Sequence, residues 1–350
     1  MTQNISRRNL LKSAAALPIA AQLAGCAALS SNNLCQPQND PLAWAYLLHL
    51  STNMWEDRIA DPKHSRGYRH YMRFNENLYN DILKKMHNRK LNMLVLDLGN
   101  AVVYKSHPEI AVKNAWSRQK LRSEIKKMRD LGIEPIPKLN FSAGHDAWLC
   151  HYRRETSTDV YYKVCADLIA EVADLFDNPR YFHLGMDEET TAWRKKYNFL
   201  VFRQHDLWWE DINVYFKHVK KAGSKPWVWS DYMWRGDNLQ TFLKKMPRDI
   251  MQSNWYYADE FDEKAKGLNK TRVQAYRVLS DEGFDQIPCG SNYKTNENFH
   301  NTVEFCKNNV DPKQLKGFLM APWHFTFETE RKFLLDAVDQ VADAKEKFYS

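Results

Sequence analysis

The stretch Gln119-Lys120-Leu121-Arg122-Ser123-Glu124-Ile125-Lys126-Lys127-Met128-Arg129-Asp130-Leu131-Gly132-Ile133-Glu134-Pro135-Ile136-Pro137-Lys138-Leu139 decides the fold. Over 119–131, Leu121, Ile125, Met128 and Leu131 recur at three- and four-residue spacing, the period of a helix with one buried face. Residues 134–139 follow as a short apolar run of strand length. Outward from this pair the alternation repeats. Strand-like runs occupy 45–50, 93–98, 134–139, 181–184, 226–229, 250–253, 286–289 and 317–320, eight in all. Amphipathic stretches at 76–87, 119–131, 160–176, 212–221 and 298–310 lie between them, and 330–347 follows the last. Strands joined through helices form a parallel sheet, and a count of eight predicts a closed (β/α)8 TIM barrel, a single α/β domain over 42–350. The chain has 350 residues and shows neither a short repeat nor a low-complexity block.

The first residues read as an address. Ser6-Arg7-Arg8-Asn9-Leu10-Leu11-Lys12 precedes a small, apolar run over 13–23, a charged segment and a short hydrophobic one too brief to span a bilayer. The paired arginines are similar to a twin-arginine export signal, and Leu23-Ala24-Gly25-Cys26 resembles a lipobox. The expectation is an export signal over 1–26 with Cys26 lipidated, or a signal cleaved nearby with Cys26 left an ordinary thiol. A flexible Ser/Asn/Gln/Pro tether follows over 27–41. The protein is thus expected to be periplasmic or a membrane-anchored lipoprotein.

Of 350 residues, 44% are hydrophobic and 27% charged, which disfavours disorder and membrane spanning. The formal charge of +7 falls to +4 without Arg7, Arg8 and Lys12, a dispersed excess that predicts no nucleic-acid partner. Apart from Cys26, Cys35, Cys150, Cys165, Cys289 and Cys306 show no C-x-x-C spacing and read as buried thiols. Walker, G-x-G-x-x-G and H-E-x-x-H motifs are missing, so no cofactor is expected.

A barrel carries its chemistry at the C-terminal ends of its strands. The fourth run ends in Tyr181-Phe182-His183-Leu184-Gly185-Met186-Asp187-Glu188-Glu189. Three adjacent acids resist joint ionisation, so at least one carboxyl is expected to stay protonated and serve as a general acid in glycoside hydrolysis. Glu189 is the residue assigned to capping a following helix instead. Other strand ends bring Trp229 with Asp231, Trp255, Tyr293 and Trp323, aromatic faces and polar groups suited to a sugar ring. Each of these tryptophans suits a core position equally well. His145, after the third run, either orients a catalytic carboxyl or ties loops together. Asp97 and Asn100, after the second, either touch ligand or brace the barrel. A metal held by His145, His183, Asp97 and Asp187 is not expected, because no pair of them has ligand spacing on one helix.

These strand ends resemble the family-20 glycoside hydrolases, the β-N-acetylhexosaminidases. That family's fourth strand ends in His-x-Gly-Gly-Asp-Glu, matched here by His183-Leu184-Gly185-Met186-Asp187-Glu188. The order of Gly144-His145, Trp229 with Asp231, Trp255, Tyr293 and Trp323 around the barrel extends the likeness. The resemblance implies that Glu188 protonates the glycosidic oxygen while Asp187 steadies the substrate's acetamido nitrogen. It implies further that Tyr293 binds the acetamido oxygen and that Trp229, Trp255 and Trp323 wall the pocket. Four departures stand out. Met186 replaces the second glycine, so the turn is expected to lack free access to positive φ. Arg58 is the only counterpart of the arginine that holds sugar hydroxyls, the acid expected near Trp323 is displaced to Glu328, and no small domain precedes the barrel.

The expected function is an exported glycosidase acting on N-acetylhexosamine-containing glycans with retention of configuration. A surface lipoprotein that binds glycans without cleaving them and a metal-dependent barrel hydrolase are the alternatives.

Overall fold

The computed structural model describes residues 42–62 and 65–350. The signal, the tether, Cys26 and Cys35 lie outside the described residues. Eight strands, β1 (Ala43–His49), β2 (Met93–Asp97), β3 (Glu134–Lys138), β4 (Tyr181–His183), β5 (Lys225–Trp229), β6 (Met251–Ser253), β7 (Cys289–Gly290) and β8 (Gly317–Met320), alternate with helices. The α-helices are α1 (Glu76–Asn88), α2 (Arg118–Asp130), α3 (Asp159–Leu175), α4 (Asp206–Lys221), α5 (Leu239–Lys245), α6 (Leu268–Asp281), α7 (Asn298–Asn309) and α8 (Arg331–Tyr349). Asn75, Ser117 and Thr158 cap α1, α2 and α3, each side-chain oxygen accepting a first-turn N–H.

All strand pairs are parallel, in the order β6-β5-β4-β3-β2-β1-β8-β7. The ring is completed between β6 and β7 by isolated bridges, Gln252 with Gln286 and Trp255 with Cys289. There the Ile287 N–H donates to the Gln252 carbonyl at 3.0 Å and the Cys289 N–H to that of Asn254 at 2.9 Å. The expected strand at 286–289 is regular only over Cys289–Gly290, because Pro288 lacks an N–H for the ladder. The expected (β/α)8 barrel is thus present.

Alternation along the strands builds two cores. In β1, Trp44, Tyr46 and Leu48 pack outward under the helices, whereas Ala43, Ala45 and Leu47 face the barrel interior. Trp227 and Trp229 of β5 fill that interior, and the small β1 alanines leave them room. Helix α4 starts at Asp206 rather than 212, because Trp208 and Trp209 extend its buried face by a further turn. Cys165, Cys289 and Cys306 are buried free thiols as expected, and Cys150 is half-buried.

Candidate active site

The turn after β4 determines which way the acids point. In regular strand backbone, neighbouring side chains face opposite sides, so Asp187 and Glu188 would diverge. Here Gly185 (φ 71°), Met186 (φ 71°) and Glu188 (φ 55°) all adopt left-handed backbone and break the alternation. Met186 therefore takes up the positive φ that its side chain was expected to deny, and its own burial holds it there. Gly185 cannot be replaced easily, since a Cβ would stand 2.0 Å from Asn140 Oδ1. That contact matters because the Asn140 amide donates to Asp187 Oδ1 at 2.8 Å.

Asp187 and Glu188 consequently converge on His145, with one oxygen of each carboxylate and a ring nitrogen all within 4.8 Å of one another. His145 Nδ1 lies 3.6 Å from Asp187 Oδ1 and its Nε2 lies 3.5 Å from Glu188 Oε2. Burial pushes the Glu188 carboxyl up to about 8, and the charges of Asp187 and Asp231 add to this against the pull of Arg235 and Lys196. Burial also lowers the His145 imidazole, which outweighs the attraction of Asp187. At neutral pH the trio therefore presents a protonated Glu188 beside a neutral histidine, the arrangement of a proton donor.

A cavity of about 350 Å³ opens over these groups, within the ordinary range for ligand pockets. His145, Asp187, Glu188, Trp255, Tyr293 and Trp323 line it together. Tyr257 stacks on Trp255 at 5.3 Å between ring centroids and extends that wall.

Five candidate residues sit elsewhere. Trp229 is only 2% exposed and lies beneath the floor, its ring 5.7 Å from Trp323. Asp231 is fully buried and touches the acid rather than the cavity. It accepts the Glu188 N–H at 2.9 Å, the Trp255 indole N–H at 3.3 Å and Arg235 Nε at 2.5 Å. Asp97 braces the barrel interior, ion-paired to Lys138 at 2.5 Å and hydrogen-bonded to His49 Nδ1 at 3.2 Å. Asn100 does the same for the loop after β1, accepting from Ser51 Oγ at 2.8 Å. Arg58 is not among the lining residues. Arg66, further along the same loop, is, and it spans the rings of Trp55 at 5.0 Å and Tyr293 at 6.0 Å.

Glu189 is structural, but not as a helix cap. It forms a buried ion pair with Arg203 and accepts the Ala143 N–H at 2.8 Å, which fastens the β4 turn to the loop after β3. Of the residues weighed as metal ligands, His183 is packed between Trp227 and Trp229, and Asp97 is engaged with Lys138. Only His145, Asp187 and Glu188 bring donor atoms together among the described residues. Sequence reasoning missed Trp55, Arg66, Lys196, Asn269, Arg272 and Lys294 as pocket residues. They stand on loops and a helix start, where no period marks them. Of these, Lys294 alone carried a signal in the sequence, its place next to the strand-end Tyr293.

No curated protein matches this chain. Solved structures share its fold. The exo-β-N-acetylglucosaminidase of Vibrio harveyi, in complex with N-acetylglucosamine, has a TM-score of 0.58 at 14% identity over 86% of this chain and 54% of its own. The β-N-acetylhexosaminidase of Bacteroides fragilis gives 0.57 at 15% identity, covering 85% and 65%. That of Streptomyces coelicolor gives 0.58 at 12% identity, covering 86% and 64%. The chain thus spans about half the length of the first of these and under two thirds of the others. The family described as glycosyl hydrolase family 20, catalytic domain, matches residues 136–316, from within β3 to just before β8, and takes in both acids and the pocket residues that follow β3, β4, β6 and β7. Those residues make up more than half of the sequence, and the chain belongs to glycosyl hydrolase family 20.

Proposed function

We propose that the protein is a retaining β-N-acetylhexosaminidase that works through its substrate's own acetamido group. The observation that carries this reading is the convergence of Asp187 and Glu188 on one cavity, with Glu188 raised to about 8. Glu188 gives its proton to the glycosidic oxygen as that oxygen leaves the anomeric carbon. The acetamido oxygen attacks the same carbon from the opposite face, and positive charge develops on the acetamido nitrogen. Asp187, held by Asn140, steadies that charge. Glu188, now ionised, deprotonates the water that opens the oxazoline, so configuration is retained and no enzyme nucleophile is needed. Trp255 and Trp323 wall the sugar, and Tyr293 binds the acetamido oxygen. The relatives' named activities and the bound N-acetylglucosamine in one of them support the same substrate class.

Turnover of 4-nitrophenyl N-acetyl-β-glucosaminide is the test. Glu188→Gln and Asp187→Asn are each expected to lower kcat by about 10²–10⁴-fold. Unchanged rates in both variants would refute the assignment, and saturable sugar binding without turnover would favour a glycan-binding protein. The N-terminal sequence supports a companion proposal, export by the twin-arginine route with lipidation of Cys26. Fatty-acid labelling that persists in Cys26→Ser would rule out that anchor.

A further inference from the structure

The pocket holds more positive charge than the proposed chemistry uses. Arg66, Lys196, Arg272 and Lys294 line it beside only two acids, Asp187 and Glu188. Lys196 feels the charges of Glu188 and Glu56. The other three have no carboxylate within ion-pairing distance among the described residues, in contrast to Arg235, which is paired with Asp231 at 2.5 Å.

Arg272 is the most telling. Its guanidinium lies 4.7 Å from the Trp234 ring and 4.9 Å from Trp255, so two indoles hold it in place. Its Nε is buried without a hydrogen-bond partner. Burial, then the neighbouring Arg235, disfavours its charge. Arg66 is likewise held by aromatic faces, with one hydrogen bond to the Trp323 carbonyl at 3.3 Å. No acid from the loop after β8 offsets it, because Glu328 is at the surface with Arg331 and Asn75. Lys294 is exposed at the rim beside Tyr293.

Sugar hydroxyls can accept hydrogen bonds from such donors, but they leave the charge uncompensated once the ligand displaces water. A planar guanidinium with open donors matches a two-oxygen anion, and this surround also raises the local concentration of anionic ligands. We propose that the pocket takes an N-acetylhexosamine bearing or joined to an anionic group, a sulfate ester or a uronate carboxylate, with Arg272 as its main anchor. Arg66 and Lys294 complete the surround. The inference rests on the hexosaminidase reading for the sugar, and on the unpaired cations for the anion.

Calorimetric titration of the full protein separates the two. The ligands are N-acetylglucosamine, its 6-sulfate, and N-acetylglucosaminyl-β-linked glucuronate, with inorganic sulfate as control. At least one charged sugar is expected to bind about tenfold tighter than the neutral one, with the margin shrinking as salt is raised. Which of the two does so identifies the source of the anion. Arg272→Gln is expected to remove most of that margin, and Lys294→Ala, at an exposed site, part of it. Equal affinity for neutral and charged sugars, no sugar binding at all, or a margin untouched in both variants overturns the inference. Binding needs no turnover, so failure of the hexosaminidase assignment would show separately, as charged-sugar preference without hydrolysis of any N-acetylhexosaminide.

Discussion

Replacing Glu188 with glutamine is expected to cut turnover by about 10²–10⁴-fold and, above neutral pH, to make the protein more stable. The Glu188 carboxyl moves from 4.5 in the open chain to about 8 in the folded protein. Between those values the folded state keeps a proton that the unfolded state has released, so stability contributed by this group falls as pH rises from 4.5 and levels off above about 8. At about 1.4 kcal/mol for each tenfold, the full displacement corresponds to roughly 5 kcal/mol. The side chain is 26% exposed, and solvent screening reduces the expected effect to about 2–4 kcal/mol. Glutamine keeps the shape and never ionises. Urea unfolding of both proteins at pH 5 and pH 9 is the assay. Near-equal stability is expected at pH 5 and a gain of about 2–4 kcal/mol for the variant at pH 9. A difference that does not change with pH would show that Glu188 ionises in the fold as it does in water, and the general-acid assignment would lose its physical basis.

Asp231→Asn should lower kcat about tenfold or more by loosening the Glu188 backbone, with a smaller change in KM. It should also shift the alkaline limb of the pH–rate profile to lower pH, since one of the charges raising Glu188 is gone; an unmoved limb would contradict the contact. Gly185→Ala should cost about 1–3 kcal/mol in denaturant unfolding and depress kcat, because the new Cβ displaces Asn140 from Asp187. Wild-type stability and rate in that variant would show that the turn tolerates a side chain.

Periodicity made the barrel readable, because each strand and most helices bury a face wherever they stand. Helices α5 and α6 were harder to see. The first is short, and the second carries Lys270, Arg272 and Arg277 through its length, which dilutes its apolar stripe. In the site, adjacency in sequence was enough for Asp187 and Glu188, and strand-end position was enough for Trp255, Tyr293 and Trp323. It was not enough for Asp97, Trp229 and Asp231. A strand-end side chain can point over the rim or back into the barrel, and the partners that decide, Lys138, His183 and Arg235, belong to other elements or to the far side of a turn. Arg58 and Arg66 share one long loop after β1, where no spacing rule tells which of them folds back over the mouth.

The join between β6 and β7 has a bearing on how the cavity behaves. It is made by two bridges around a proline, and one of those bridges pairs Trp255 with Cys289. The acids follow β4, which pairs with β5 over three residues and meets β3 through Lys138 with His183, a contact that the Leu139 N–H extends by donating to the His183 carbonyl at 3.0 Å. Trp255 thus belongs at once to the hoop and to the cleft, so a change that loosens this bridge is felt directly at the aromatic wall.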